Sequence, residues 1–204
     1  MNLRVLFAPL SLCALLASCS PLSDLSSNQR GGSNYLAGLG VSRVSESSPN
    51  PIESASFWDG DTVGGSPSIR INRGEQKAYF YKSGELVGVS PISSGDSTHT
   101  TPPGTFKVTE KDIDHASSTY GRIVDLSSGA TIVEDADSRK HKPASGQKFV
   151  GAPMPNFMRF NHGIGMHAGH LPGYPASHGC VRMPSQMAQK FFEHARVGTP
   201  VTVE

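Results

Sequence analysis

Apolar residues recur at helical spacing in a single segment of this chain, and that limits the fold more than anything else in it. Met187, Phe191 and Ala195 stand at i, i+4 and i+8, Phe192 widens the stripe, and Pro184 and Gly198 bracket the run. Proline suits a first helical turn and glycine ends one, so this segment predicts one amphipathic helix. Elsewhere the chain alternates or breaks. Ile69 and Ile71 alternate with polar neighbours, and Ala78-Tyr79-Phe80-Tyr81 and Leu86-Val87-Gly88-Val89 flank a turn at Lys82-Ser83-Gly84-Glu85, which reads as a β-hairpin. Pro102-Pro103-Gly104 breaks the chain before a short strand from Phe106 to Val108. Arg122 to Leu126 and Ala130 to Glu134 are weaker strands around Ser127-Ser128-Gly129, and Pro200 to Val203 closes the chain as a strand. The expectation is a mainly β domain with one helix near its carboxyl end. Asp112 to Gly151 reads as a polar, irregular loop, solvated or else a lid over a cleft, and Met154 to Phe160 as one wall of that cleft.

The chemistry concentrates at Ser177-His178-Gly179-Cys180-Val181-Arg182, with a further histidine thirteen residues before the cysteine, at His167. A free thiol has a pKa of about 8.5, so a nucleophilic cysteine needs a nearby base or cation. Gly179 leaves room beside the sulfur, and its amide together with that of Cys180 suits the oxygen of a tetrahedral intermediate. Arg182 offers a forked cation to a carboxylate or to developing negative charge; the plainer reading is a salt bridge beneath the site. These residues argue acyl transfer through a thioester. Two alternatives stand beside it. Cys180 is an inert buried thiol, or Cys180 with His167, His170 and His178 binds zinc, although no second cysteine or helical H-x-x-x-H spacing supports a closed metal site.

The amino-terminal end sets the expected compartment. Arg4 precedes an apolar run from Val5 to Ala17 that ends in Leu16-Ala17-Ser18-Cys19, the pattern of an export signal with a bacterial lipobox. The run is shorter than the about 20 apolar residues of a membrane span and carries Pro9 and Ser11. Cleavage before Cys19 removes Cys13, makes Cys19 the lipidation site and leaves Cys180 as the free thiol, in keeping with an oxidising compartment. Ser20 in place of aspartate sorts such a lipoprotein to the outer membrane, facing the periplasm, in a host that has one. Residues 1–18 are therefore read as the signal and 19–66 as a lipidated, flexible tether rich in Ser, Gly, Asn and Pro. Within that tether Phe57-Trp58-Asp59 reads as the first element to dock on the domain. The 18 Lys and Arg, including Arg4 in the signal, against 17 Asp and Glu leave the mature chain neutral, which gives no footprint for nucleic acid.

Met166-His167-Ala168-Gly169 followed by Ser177-His178-Gly179-Cys180-Val181-Arg182-Met183 resembles the signature of the L,D-transpeptidase catalytic domain, or YkuD-like, family. Upstream, Gln76 to Tyr81, Ser93-Ser94-Gly95 and Thr101-Pro102-Pro103-Gly104-Thr105-Phe106 resemble the family's opening hairpin and its T-P-x-G-x-F turn, and Gly198-Thr199-Pro200-Val201 resembles its closing strand. The resemblance covers residues 67–204 and implies a β-sandwich of mixed sheets with the helix after the catalytic loop. It further implies Cys180 as nucleophile toward peptidoglycan stem peptides and His167 as base, its tautomer fixed by the Ala168 carbonyl. His178 and Gly179 would shape the oxyanion environment, and Ser177 and Arg182 would bind substrate. The acceptor is an amine in a transpeptidase or water in a hydrolase; a wall-binding lipoprotein without catalysis is the third class. The chemistry calls for no cofactor or metal. Two departures from the pattern are the nine-residue segment between His167 and Ser177, a few residues short, and Ala168 where glycine or serine is usual.

Overall fold

The computed structural model describes residues 55–204. The expected signal, the lipidated Cys19 and most of the tether lie outside the described residues. Near the start of the described chain β1 (Phe57–Trp58) pairs antiparallel with β4 (Glu85–Pro91), so this segment docks on the domain through Trp58 while Phe57 stays half exposed. Trp58 lies over Gly88, where a Cβ would come within 2.5 Å of the indole, and its ring meets Phe80, Phe191 and His194 at centroid distances of 5.3, 5.9 and 5.0 Å.

Two mixed sheets enclose the core. The larger has the order β1-β4-β3-β2-β13-β5, with β2 (Pro67–Asn72), β3 (Lys77–Lys82), β5 (Gly104–Lys107) and β13 (Pro200–Val203); β13 runs parallel to β2 and the other pairs are antiparallel. Its residues Ile69, Ile71, Ala78, Phe80, Val201 and Val203 are buried at alternate positions, as one inward face of a pleated sheet requires. Ser83 and Gly84 both have positive φ, 50° and 88°, at the β3–β4 hairpin. Those are the dihedral signs of a type I′ turn, whose twist matches the flanking strands.

The second sheet has the order β12-β11-β10-β6, from β6 (Glu110–Asp112), β10 (Phe157–Asn161), β11 (Ile164–Ala168) and β12 (Val181–Met183). Its core side carries Met158, Phe160, Met166, Ala168, Val181 and Met183, packed with the larger sheet and with α1 (Ser185–His194). Pro184 caps the helix, whose Met187, Ala188 and Phe191 are buried. The fold is thus mainly β with mixed sheets and one helix near the carboxyl end, as the sequence leads one to expect. The helix packs against β10 and β11 on the apolar face.

One expectation is corrected. The stretch from Asp112 to Gly151 is not irregular: β7 (Ala116–Asp125), β8 (Thr131–Asp137) and β9 (Gln147–Pro153) form a third, antiparallel sheet in the order β8-β7-β9. Exposed positions run along both faces of β8, with Ile132 half exposed at 52%. Apolar alternation, the primary sequence signal for a half-buried strand, therefore never develops. The register also slips between Ala116 and Gly121, which breaks the periodicity of β7 itself.

Candidate active site

The second sheet sorts its side chains by face, and that sorting builds the site. β11 and β12 run parallel with His167 opposite Arg182 and Ala168 opposite Met183. Register partners share a face and side chains alternate along a strand, so Met166, Ala168, Val181 and Met183 turn to the core, whereas His167, Arg182 and Cys180, two residues before Arg182, share the opposite face. Arg159 pairs with Gly165 on one side and Glu110 on the other, which puts it on that same face. Gly165 keeps the face open: a Cβ there would meet the Phe157 ring at 2.4 Å. A cavity of about 160 Å³ follows, lined by Cys180, His167, Arg182, Arg159 and His178, with Ala116 to Tyr120 of β7 forming the opposing wall.

The turn carrying the thiol is clamped by the two upstream motifs. Thr101 Oγ1 donates to the Gly179 carbonyl at 2.8 Å and accepts from the Gly95 amide at 2.9 Å. The amides of Ala176 and Ser177 donate to the Ser94 carbonyl at 3.0 and 3.1 Å, the Asp96 amide donates to the Ser177 carbonyl at 3.0 Å, and Ser93 and Arg182 exchange backbone hydrogen bonds of 3.0 Å. Gln76 holds Ser94 in turn, accepting from its amide at 3.0 Å and donating to its hydroxyl at 2.8 Å. A Cβ on Gly95 would lie 2.0 Å from the His99 carbonyl oxygen, and Gly179 has φ +109°. Both glycines are thus demanded by geometry.

His167 is buried, 5% exposed, and its Nδ1 lies 2.8 Å from the Ala168 carbonyl oxygen. A carbonyl accepts only, so Nδ1 carries the proton and the Nε2 lone pair is the basic one. Burial pulls the imidazole down to about 4; the bond to Ala168 opposes this, and the positive charge of Arg182 adds to it. Cys180 is partly buried, with Sγ 3.9 Å from the Gly163 carbonyl oxygen. Burial raises its pKa above the ordinary thiol value, against opposing effects of the Gly165 backbone, Arg182 and Arg159. At neutral pH both partners are uncharged. That is the state in which an imidazole can take a proton from a thiol as the thiol attacks, rather than a preformed ion pair.

The other expected site residues divide. His178 is half-buried and lines the cavity, its imidazole lowered by burial and then by His99. Arg182 is buried in the cavity wall, its Nη2 donating to the Ala176 carbonyl at 3.1 Å and its stem packed on Gly169. Ser177, expected to bind substrate, lines the cavity, and its hydroxyl donates to the Cys180 carbonyl and accepts from the Gly179 amide at 3.1 Å. The same bond commits the Gly179 amide, which was expected to face an oxyanion together with that of Cys180. Cys180, His167, His170 and His178 do not bring three donor atoms together; among the described residues the grouping that does is Glu110, Asp112 and His115. There Glu110 accepts from Arg159 Nε at 2.7 Å and Asp112 faces His115 Nδ1 at 3.0 Å, so these carboxylates steer two basic residues of the cavity wall.

Among the lining residues Arg159 fell within Met154 to Phe160, the stretch read as a wall of the cleft, but was not singled out. Arg159 had a usable signal, since Phe157-Met158-Arg159-Phe160 places it out of phase with the core residues Met158 and Phe160. His115 and Tyr120 were covered only by the lid alternative for Asp112 to Gly151; His115 precedes β7, and the bulge within β7 brings Tyr120 in.

The comparisons follow this geometry. The model of the YkuD family, described as the L,D-transpeptidase catalytic domain, matches residues 66–203. No curated protein matches. Among solved structures the chain is similar to the LD transpeptidase LdtMt1 in complex with imipenem, at 19% identity over 69% of this chain and 60% of that one, with a TM-score of 0.53. An L,D-transpeptidase from Xylanimonas cellulosilytica gives 22% identity, 70% and 62% coverage and a TM-score of 0.51. One from Enterococcus faecium, carrying a cysteine-to-serine change, gives 23%, 69% and 50%, and 0.50. This chain spans half to about three-fifths of the length of those proteins, and at such identities they support the fold. With the family model covering well over half of its residues, the chain belongs to the L,D-transpeptidase catalytic domain family.

Proposed function

We propose that this protein is a peptidoglycan L,D-transpeptidase working through a Cys180 thioester. The observation that carries this reading is the shared face: a thiol, a neutral buried imidazole with its tautomer set, and a guanidinium open into one cavity. Cys180 Sγ attacks a carbonyl carbon of a stem peptide as its proton passes to His167 Nε2. The tetrahedral oxyanion lies against the Cys180 amide, with Arg182 and His178 supplying the remaining polar wall. Collapse breaks the C–N bond, and the terminal D-amino acid leaves as an amine carrying the proton from His167. An acceptor amine then attacks the thioester, gives a proton to His167 and restores the thiol. Arg182 is suited to hold a carboxylate of the donor, because its planar fork is fixed by the Ala176 carbonyl and the Gly169 surface.

The test is incubation with a disaccharide tetrapeptide and a D-amino acid, read by mass spectrometry. Exchange of the terminal residue supports an amine acceptor, loss of that residue alone indicates water and hence a hydrolase, and neither rejects catalysis on this donor. Cys180→Ala abolishes either reaction. Imipenem, named with one of the similar structures, serves as a donor mimic: the expected result is a covalent adduct on Cys180, and an unmodified thiol would count against the reading. The proposal extends to the amino terminus, where export and acylation at Cys19 would tether the enzyme to the envelope, on the periplasmic face of the outer membrane where one exists. Loss of membrane association on Cys19→Ser checks it.

A further inference from the structure

His178 is fixed by rings from two distant parts of the chain. Tyr120 of β7 lies nearly parallel to it, with centroids 4.2 Å apart and planes at 11°, and His99 meets it edge-on at 4.7 Å and 85°. Tyr120 is itself held from behind. Arg139 Nη2 donates to its hydroxyl at 3.1 Å and the guanidinium carbon stands 5.5 Å from the ring centroid, while Nε and Nη2 of Arg139 bind Asp137 at 2.9 and 2.7 Å.

The backbone of β7 is shaped to present this ring. Its ladder with β9 is interrupted between Ala116 and Gly121, and in the gap the amides of Thr119 and Tyr120 donate to Ser117 Oγ at 3.2 and 2.9 Å. Pairing resumes at Gly121, where a Cβ would lie 2.1 Å from the Val150 carbonyl oxygen. Bulges of this kind re-aim side chains at the margins of sites. This one sets residues 117 to 120 into the cavity wall, facing the turn that carries the thiol.

We propose that Tyr120 is a positioning residue for the acyl transfer: by stacking on His178 it fixes the cavity wall two residues from Cys180 and ties the β8-β7-β9 sheet to the nucleophile turn. The proposal rests on the thioester reading above. Stacked rings favour one orientation of each, and the turn itself is already pinned through Thr101, Ser94 and Ser177, so the His178 ring is the part that the third sheet controls. Burial lowers the His178 imidazole, with His99 and Arg182 acting in the same direction and Asp96 and Asp135 against it. Removing the Tyr120 ring admits water beside His178.

The experiment is a double-mutant cycle on the whole chain with the tetrapeptide exchange assay, paired with NMR titration of His178. Tyr120→Ala lowers kcat/KM about tenfold, the scale of one lost aromatic pair. Tyr120→Phe keeps the stack and most of the rate, and Tyr120→Ala with His178→Ala together is no worse than His178→Ala alone. The His178 titration midpoint rises in Tyr120→Ala toward the ordinary histidine range. Losses that multiply in the double variant, a phenylalanine variant as impaired as the alanine one, or an unmoved midpoint would each overturn the proposal. The titration needs no substrate, so it decides the stack even if an inert wild-type protein sinks the transpeptidase reading.

Discussion

The β12-β11-β10-β6 sheet and the β8-β7-β9 sheet face each other across one cavity, yet they are held together by different means. The first has one face committed to the core, where Met158, Met166, Val181 and Met183 are 0% exposed, and turns its other face into the site. The second buries only a few apolar residues, among them Ile123, Ala136 and Ala152, and depends on backbone pairing and on polar contacts such as Arg139 with Asp137. The difference shows how labour is divided around a reacting centre. The proposed nucleophile and base sit on the sheet whose reverse face is locked by the core, and the opposing wall is built where few apolar side chains are buried.

That contrast can be broken or sharpened by four measurements. On the site face, His167→Ala should lower kcat/KM by about a hundred- to ten-thousand-fold, the usual contribution of a general base, with little change in melting temperature; an unimpaired rate would remove His167 from the reaction. On the core face of the same strand, Met166→Ala should cost about 2–5 kcal/mol in denaturant unfolding, and a loss below 1 would show that this face is not locked.

The third measurement is acid stability. The folded His167 imidazole is held to about 4, against about 6.5 in an unfolded chain, so between those values the unfolded state binds more protons. The stabilisation from keeping it neutral is complete above pH 6.5 and is lost as pH falls through 4, about 3 kcal/mol in all. Replacing His167 with glutamine should flatten the stability curve between pH 6.5 and 4, and the acid limb of kcat/KM in the unaltered enzyme should fall near 4; a limb near 6.5 would contradict the burial argument. Smallest is Ile132→Ala on the third sheet, where a half-exposed side chain leaves no cavity and the change should stay within about 0.5 kcal/mol. A larger loss would mean that the wall has a core of its own.

Legibility followed the same division. The helix was readable because Met187, Phe191 and Ala195 repeat at a period that only one structure satisfies, and β2 and β3 because Ile69, Ile71, Ala78 and Phe80 alternate. Cys180 and His167 were readable from their neighbours, and the phase that puts them on one face was also present: Met166-His167-Ala168 and Cys180-Val181-Arg182-Met183 alternate in step. The third sheet was legible only in part: Arg122 to Leu126 and Ala130 to Glu134 read as weak strands that fall largely in β7 and β8, and the few buried apolar residues there write no sustained pattern. The bonding of Ser177 and Gly179 was not legible for a different reason, since it depends on which hydrogen bonds close within a four-residue turn.

By itself, then, the order of residues determined the class of fold and the family and marked the thiol and the imidazole proposed to react, because these follow from periodicity and from local chemical neighbourhoods. Only the tertiary structure decided what faces them. Register between β11 and β12 set the thiol and the imidazole on one surface, burial favours the neutral form of both, and a bulge in a polar strand brought Tyr120 against His178. Contacts between residues as far apart in the chain as Tyr120 and His178 depend on pairing and on excluded water, and neither leaves a periodic mark in the chain.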